Sequence, residues 1–516
     1  MIVVLHIRYT NANLSIQGDL KLGSRSMEHK KTIFNGNILM IGCGAVAQCT
    51  LPLILKHLEI DPKKITILDM LDNRKNIQEE LKRGINYHVQ KITAGNFAAT
   101  VEKYVKSGDL IIDLAFDIEC KDILTWCHTN NVLYINTSVE EWDPYSQAQT
   151  QSPVDRTLNR TLYARHMELR AMIAPWKSNP GPTAILDHGA NPGLVSHFVK
   201  QALLDIAQKI ITEKPQDPRV KELKEYCASN NFAKIAQTVG VKVIHISERD
   251  TQITTQPKQV NEFVNTWSID GFYEEGTAPS EMGWGTHEKT LPRYAYEHKT
   301  GPKNQICIAQ PGIQTWVRSW VPSGDIIGMA IRHGESFTIS DKLTVWENNT
   351  AVYRPTVHYA YCPSDSALNS LHELTMRNYV MQEKKRIMRD DILSGADEVG
   401  VLLLGHDFTG WWCGSILDIE ETRRLAPHQN ATTLQVAASL IAALTWMINN
   451  PKKGVCIPDD LPHDEILPVA KPYLGKIISM PTDWTPLRDR KNLFSGTGAP
   501  DPKPEDVWQF STFLFE

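Results

Sequence analysis

The sequence predicts an α/β fold: a Rossmann-like, doubly wound parallel sheet, followed by a second α+β domain with a mixed or antiparallel sheet. Three observations predict it. Residues 37–69, NILMIGCGAVAQCTLPLILKHLEIDPKKITILD, read as strand, glycine turn, helix and second strand. From there to Thr137, short apolar runs alternate with helix-length segments, the grammar of a parallel sheet with helices on both faces. After Gly193 the alternation gives way to successive strand-like runs with few long helices between them, the grammar of an antiparallel or mixed sheet.

Taken in order, Asn37–Ile41 is an apolar run of strand length, turned by Gly42-Cys43-Gly44 into a helix over 45–58. Gly42 permits the tight turn, and Gly44 has no Cβ to hold a pyrophosphate away from the NH groups that Ala45 and Val46 bring to the helix N-terminus. Ala47 takes the third position of G-x-G-x-x-A. The next strand, 65–68, ends on Asp69, whose carboxylate can accept from both ribose hydroxyls and would repel a 2′-phosphate, so NAD is favoured over NADP. Helices are expected over 75–83, 95–106 and 118–130, and strands over 86–90, 109–114 and 132–137. Ligands of such sheets sit outside the strand carboxyl ends. That rule singles out Asp117, past Leu114, and Glu140, past Thr137, as acids on the nicotinamide side.

Residues 143–160 are polar and turn-rich, a lid or connector. A helix over 162–176 and a strand over 183–186 lead to Gly189-Ala190-Asn191-Pro192-Gly193, and a helix over 194–211 follows. Strands are then expected over 241–247, 263–269, 315–320, 326–332, 336–346 and 352–361, and helices over 364–376 and 432–450. The domain plan is an N-terminal extension (1–36), a dinucleotide domain (37–186, joined by 425–455), a substrate domain (187–424) and a C-terminal segment (456–516).

Bulk properties narrow the function. At 516 residues the chain can bury large cores, and 42% hydrophobic with 22% charged residues is the composition of a globular protein. A net charge of −5 argues against nucleic acid. Nine cysteines without zinc-ligand spacing point to a reduced, cytoplasmic protein with no metal site. The most apolar helix, 432–450, is broken by Gln435, Ser439 and Thr445, so it is expected in the core and not in a membrane. Residues 1–26 lack the basic start and apolar core of a signal peptide. Met27 begins a natural lead into the first strand, so this segment is expected to be a peripheral or misassigned extension.

Chemistry-bearing residues gather at the strand ends of the second domain. The 241–247 strand delivers Glu248, Arg249 and Asp250. The 263–269 strand holds Trp267 and precedes Asp270, Glu274 and Glu275. The 326–332 strand delivers His333 and Glu335. Taken singly, such acids are solvated turns and such a tryptophan is core. Together, beside a nicotinamide domain, they suit a flexible dication: carboxylates for both ends, an aromatic face for one ammonium, and a base to uncover the amine lone pair before hydride leaves the adjacent carbon. Arg318 and Arg354 are placed to pair the acids, His358 and His406 behind the site, and residues 283–286 in a tight turn.

The stretches GANPG (189–193), HISERDTQ (245–252), VNTWSIDGF (264–272), MGWGT (282–286), QPG (310–312), VRSWVP (317–322), YRPTVHYAY (353–361), GVLLLGH (400–406), EETRR (420–424), PHQNATTLQV (427–436) and TDWTPL (482–487) resemble bacterial-type homospermidine synthases from about Ile38 to about Phe510. The resemblance implies a saccharopine-dehydrogenase-like architecture, a homodimer formed through the 187–424 domain, and a tightly held NAD regenerated in each turnover. In that family putrescine is oxidised to an imine, ammonia is lost, a second putrescine adds, and the new imine is reduced to homospermidine. Spermidine can also donate the aminobutyl group. Carried over by position, the family's pocket acids fall on Asp117, Glu140, Glu248 and Glu275, its ANPG asparagine on Asn191, its cation-holding tryptophan on Trp267 and its H-x-E pair on His333 and Glu335. In this assignment Trp267 holds the cationic intermediate, a term of roughly 1 to 2 kcal/mol when desolvated, Glu248 and Glu275 bind ammonium groups, and His333 with Glu335 handles protons. The sequence departs from the family at Ala47, Asn136 and Gly334.

Two other readings stand beside it. A saccharopine-type dehydrogenase acting on an amino-acid imine would need arginines for substrate carboxylates, whereas the candidates here are mainly acids. A non-catalytic NAD-binding sensor would need neither the acid cluster nor the H-x-E pair.

Overall fold

The computed structural model describes residues 31–142, 152–490 and 502–515. The expected extension over 1–26 and residues 143–151 of the expected connector lie outside them. Two sheets carry the fold. The first is parallel and seven-stranded, in the order Val455–Cys456, Ala184–Ile185, Leu133–Asn136, Leu110–Asp113, Ile38–Ile41, Ile65–Asp69, Asn86–Val89. Its central strands are buried along their whole length, as aliphatic runs covered on both faces must be. Chain order reverses between Ile38–Ile41 and Leu110–Asp113, and that reversal opens a crevice at the strand carboxyl ends.

Helix Ala45–His57 follows the central strand, with Gly44 as its N-cap and Lys56 and His57 in its last turn. Helix Ala431–Asn449 packs on it. That helix has the length and hydropathy of a membrane span, but 78% of its most apolar stretch is buried inside the protein. Helices Gln78–Lys82 and Phe97–Val101 are shorter than the sequence implies, and the described part of the expected connector holds helix Pro153–Asn159, with Ser152 as its N-cap.

The second sheet is mixed and ten-stranded. Its main path runs Ala295–Glu297, Gln305–Pro311, Pro279–Gly283, Thr356–Cys362, Val243–Asp250, Ala396–His406, Thr409–Asp418, Lys476–Thr482, with the hairpin of Trp316–Val321 and Gly324–Met329 docked on Thr356–Cys362. The central pair, Val243–Asp250 and Thr356–Cys362, is parallel. Strand Val243–Asp250 runs past Ser247, so Glu248 lies within it and not beyond its end.

Two expected strands differ, one helical over most of its length and one cut short before a helix. Residues 336–346 form helix Gly334–Lys342 and a short strand, Val345–Glu347. The alternation of Ser336-Phe337-Thr338-Ile339-Ser340 misleads because every one of these residues is buried, so no solvent face marks the helical period. The 263–269 run is strand only over Glu262–Asn265, and Ser268 then caps helix Ile269–Thr277, which carries Glu274 and Glu275. Helices Val220–Ala228 and Phe232–Val239 were not anticipated either.

Candidate active site

At the crevice, Gly42, Gly44, Asp69, Lys91, Thr93, Phe116, Asp117 and Asp270 help line a cleft of about 600 Å³. Gly42 has φ +88°, and a Cβ there would meet the Leu114 carbonyl oxygen at 2.7 Å. A Cβ on Gly44 would meet nothing within 4 Å, so the space beside the turn is open. No side chain caps helix Ala45–His57 and no acid lies in its first turn, which leaves its NH groups for an anion. Asp69 Oδ2 accepts from the Cys43 NH at 2.6 Å and Oδ1 from the Leu71 NH at 2.8 Å, fixing the carboxylate at the mouth of the turn. These residues fit a dinucleotide.

Leu114, Ala115, Phe116 and Ser268 line this cleft and also a second cavity, of about 180 Å³. That is below the roughly 300–1,000 Å³ of sites for bulkier ligands, so it suits a slim, unbranched molecule. Glu140, Asn191, Trp267, Glu248, Glu275 and His333 line it. Asn191 sits on the Gly189–Gly193 loop. Gly193 has φ +129°, and a Cβ there would lie 2.0 Å from the Gly189 carbonyl oxygen. Asn191 Nδ2 donates to Glu248 Oε2 at 2.5 Å, and the Tyr359 hydroxyl donates to the same oxygen. Burial pushes the Glu248 carboxyl up to about 7 against these two bonds. Burial, with Glu274 nearby, pushes Glu140 up to about 8, although Arg165 pulls the other way. The half-buried Trp267 donates from Nε1 to the Tyr361 hydroxyl at 3.0 Å, and Asn430, the N-cap of helix Ala431–Asn449, holds the adjacent Thr266 carbonyl at 2.6 Å. Tyr361 stacks on Tyr359, ring centres 5.3 Å apart.

His333 caps helix Gly334–Lys342. Its Nε2 lies 3.3 Å from Glu275 Oε2, and its Nδ1 lies 3.3 Å from Glu335 Oε1. Burial pulls the imidazole pKa down, but Glu335 and Glu275 outweigh it and raise the group well above the ordinary histidine range. Tyr359 meets the imidazole edge-on at 4.4 Å between ring centres.

Arg165 and Arg332 also line the cavity. Both bond Glu274 Oε1, at 2.7 and 2.5 Å, and Arg165 Nε lies 3.1 Å from Glu141. Arg165 Nη1 also donates to the Val139 carbonyl and Arg332 Nη1 to the Arg160 carbonyl. Burial raises the Glu274 pKa, but the two guanidinium groups outweigh it and hold the group at about 2. Two cations are thus matched by Glu274 and Glu141, and the other acids keep their affinity for a cationic ligand.

Not every expected residue meets the cavity. Asp117 lines the dinucleotide cleft and not the second cavity. Glu335 is 1% exposed and stands behind His333. Val46 faces the second cavity, and Ala45 is buried at the helix start. Arg318 stacks on Phe515, and Arg354 bonds Thr344 and lies over Trp346, so neither pairs a pocket acid. His358 packs on His245 and Phe510. His406 bonds the Leu403 carbonyl. Tyr359, Arg165, Arg332, Asp113 and Asp187 also line the cavity and were not singled out from the sequence. Tyr359 had a legible signal, since it shares a strand face with Tyr361, and Asp113 and Arg332 lie at the carboxyl ends of expected strands.

Residues 38–185 match the saccharopine dehydrogenase NADP binding domain, and residues 189–482 the saccharopine dehydrogenase C-terminal domain. The chain is 39% identical over 490 residues to the homospermidine synthase of Mesorhizobium japonicum, covering 93% of this chain and 96% of that one. It belongs to the homospermidine synthase family. The homospermidine synthase of Blastochloris viridis is also 39% identical, over 487 residues, covering 93% of this chain and 97% of that one. The crystal structure of the Legionella pneumophila homospermidine synthase in complex with NAD superposes with a TM-score of 0.82 at 35% identity, covering 94% of this chain and 99% of that one. The architecture expected for the family, a Rossmann-like parallel sheet joined to a second domain with a mixed sheet, is the one found.

Proposed function

We propose that the chain is an NAD-dependent homospermidine synthase, transferring the aminobutyl group of one putrescine to a second, with spermidine as an alternative donor. The observation that carries this reading is the adjacency of the dinucleotide cleft and an acid-lined cavity, which share Leu114, Ala115, Phe116 and Ser268 in their walls. Membership of the family supports it, and so does the match of the cavity's charge to a diamine.

The donor amine carbon is oxidised to an imine, the second amine adds there, ammonia leaves, and the resulting imine is reduced. Bound NAD supplies the acceptor for the hydride and then its donor, so the reaction is redox-neutral. Glu248 and Glu275 bind the ammonium ends, and each ammonium near Glu248 or Glu140 favours the ionised carboxylate, recovering part of the burial cost. Asn191 and Tyr359 orient Glu248. Trp267 offers its ring to the cationic intermediate. His333 accepts a proton from an amine once its own has been lost to bulk solvent on the alkaline side, and Glu335 positions it. Gly42, Gly44, Asp69 and Asp117 face the cofactor, and the charge of Asp69 favours a free 2′-hydroxyl over a 2′-phosphate. Arg165 and Arg332 would suit a carboxylated substrate, but their commitment to Glu274 and Glu141 speaks for an amine. We further propose a cytoplasmic homodimer, in keeping with nine unpaired cysteines.

The test is incubation of the purified protein with putrescine and a catalytic amount of NAD. Equimolar homospermidine and ammonia by mass spectrometry and ammonia assay, without accumulating NADH, is the expected result. Amine-dependent accumulation of NADH without homospermidine would replace this function with that of an amine dehydrogenase.

A further inference from the structure

We propose that Arg389, on the turn between strands Lys384–Ile387 and Ile392–Ser394, is a positioning residue for the dinucleotide that acts through Gln48 on the glycine turn. It deepens the function above and rests on the cleft taking NAD. Arg389 Nη1 donates to Gln48 Oε1 at 2.5 Å. Gln48 Nε2 donates to the Cys43 carbonyl at 2.7 Å, and the Cys43 NH donates to Asp69 Oδ2 at 2.6 Å. One unbroken line of hydrogen bonds therefore joins the part of the chain that carries the second sheet to the acid that faces the cofactor ribose.

The middle and the far end of the line are fixed. Gln48 is 5% exposed, so its amide cannot exchange its partners for water without cost. The Arg389 NH donates to Asp391 Oδ1 at 2.8 Å, Arg386 holds Asp391 Oδ2 at 2.5 Å, and Asn430 Nδ2 donates to the Met388 carbonyl at 2.8 Å. The adjacent carboxylate, Asp390, faces His428 at 3.0 Å. The Arg389 charge is thus left available beside the turn. A guanidinium there orients the Cys43 peptide and favours an anion at the neighbouring helix N-terminus. Because Arg389 lies between strands that pair with Glu262–Asn265 and Ile253–Thr254, outside the parallel sheet that carries the turn, holding the cofactor also requires the two parts of the molecule to be docked, which suits an enzyme that keeps its NAD between half-reactions.

The experiment is calorimetric titration of NAD into the wild-type protein and the Arg389→Met, Arg389→Lys, Gln48→Met and double Met variants, with thermal melts of each without NAD. Either Met substitution is expected to raise the NAD Kd about tenfold, with Arg389→Lys in between. The double variant is expected to be no weaker than the worse single one, since both cut the same line. The putrescine KM at saturating NAD should shift less than twofold. NAD affinities within twofold of wild type in both single variants would overturn the inference while leaving the cofactor assignment standing. Fully multiplicative losses would overturn the coupling through Gln48. A wild-type protein that neither carries NAD as purified nor takes it up would overturn both the inference and the function it rests on.

Discussion

His333 Nε2 stands 3.3 Å from Glu275 Oε2 on the cavity wall. Glu335 approaches the other ring nitrogen at the same distance from the buried side, so the imidazole lies between two carboxylates. Its folded-state pKa is raised above the unfolded value. The stabilisation from this pairing is therefore complete below the ordinary histidine pKa and is lost as pH rises through the raised value. At neutral pH His333 holds its proton and becomes a base only on the alkaline side. Glu335→Gln removes one of the two carboxylates, so the rising limb of kcat/KM for putrescine should move to lower pH by on the order of one unit. His333→Gln should abolish that limb. Unchanged pH–rate profiles in both variants would remove His333 from proton transfer.

Glu248 and Glu140, raised to about 7 and about 8, bind protons in the folded protein that the unfolded chain releases near the ordinary carboxylate range. Their burial thus costs stability progressively as pH rises from about 4.5 to about 8. A bound diamine reverses the preference. Putrescine binding at pH 7 should release protons, visible as a dependence of the calorimetric enthalpy on buffer ionisation heat, and affinity should climb between pH 6 and pH 8. Glu248→Gln should reduce the proton release.

The cation–π role of Trp267 is worth roughly 1 to 2 kcal/mol. Trp267→Phe keeps an aromatic face but loses the indole bond to Tyr361, and Trp267→Leu loses the face as well. The expected order of kcat is wild type, Phe, Leu, with Leu about five- to thirtyfold below wild type and Phe between them. Equal rates for Phe and Leu would assign Trp267 a packing role.

Two glycines with different surroundings should respond differently. Gly193→Ala forces a Cβ to within 2.0 Å of the Gly189 carbonyl oxygen at φ +129°, and should destabilise the fold by about 3 kcal/mol or more in urea titration while displacing Asn191. Gly44→Ala projects its methyl into open space. It should leave the melting temperature within about 2 °C of wild type and weaken NAD binding, because the methyl occupies the ground a pyrophosphate needs.

The first sheet was legible because its strands are aliphatic, its turn needs Gly42, and its helices alternate with it at regular spacing. The second was harder to read where burial erased periodicity. Helix Gly334–Lys342 packs so closely that a Cβ on Gly283 would meet the Ser336 carbonyl oxygen at 2.3 Å, and small polar residues buried on every side read as a strand. Gly271 and Gly276 hid helix Ile269–Thr277, and with it the place of Glu274 and Glu275. Arg165 was unreadable because its helix, Leu162–Ile173, buries arginine and histidine and shows no apolar stripe. The acids, indole and imidazole of the cavity were legible as residue types. Which arginines would neutralise which acids depended on contacts between segments more than a hundred residues apart, such as Arg165 with Glu274.

The most direct measurement uses putrescine deuterated on both carbons next to nitrogen, with catalytic unlabelled NAD, and mass analysis of the homospermidine formed. A hydride borrowed and returned within one active site predicts product that retains all of its carbon-bound deuterium. Product lacking one deuterium per molecule, or NADH accumulating in step with amine consumption, would contradict it.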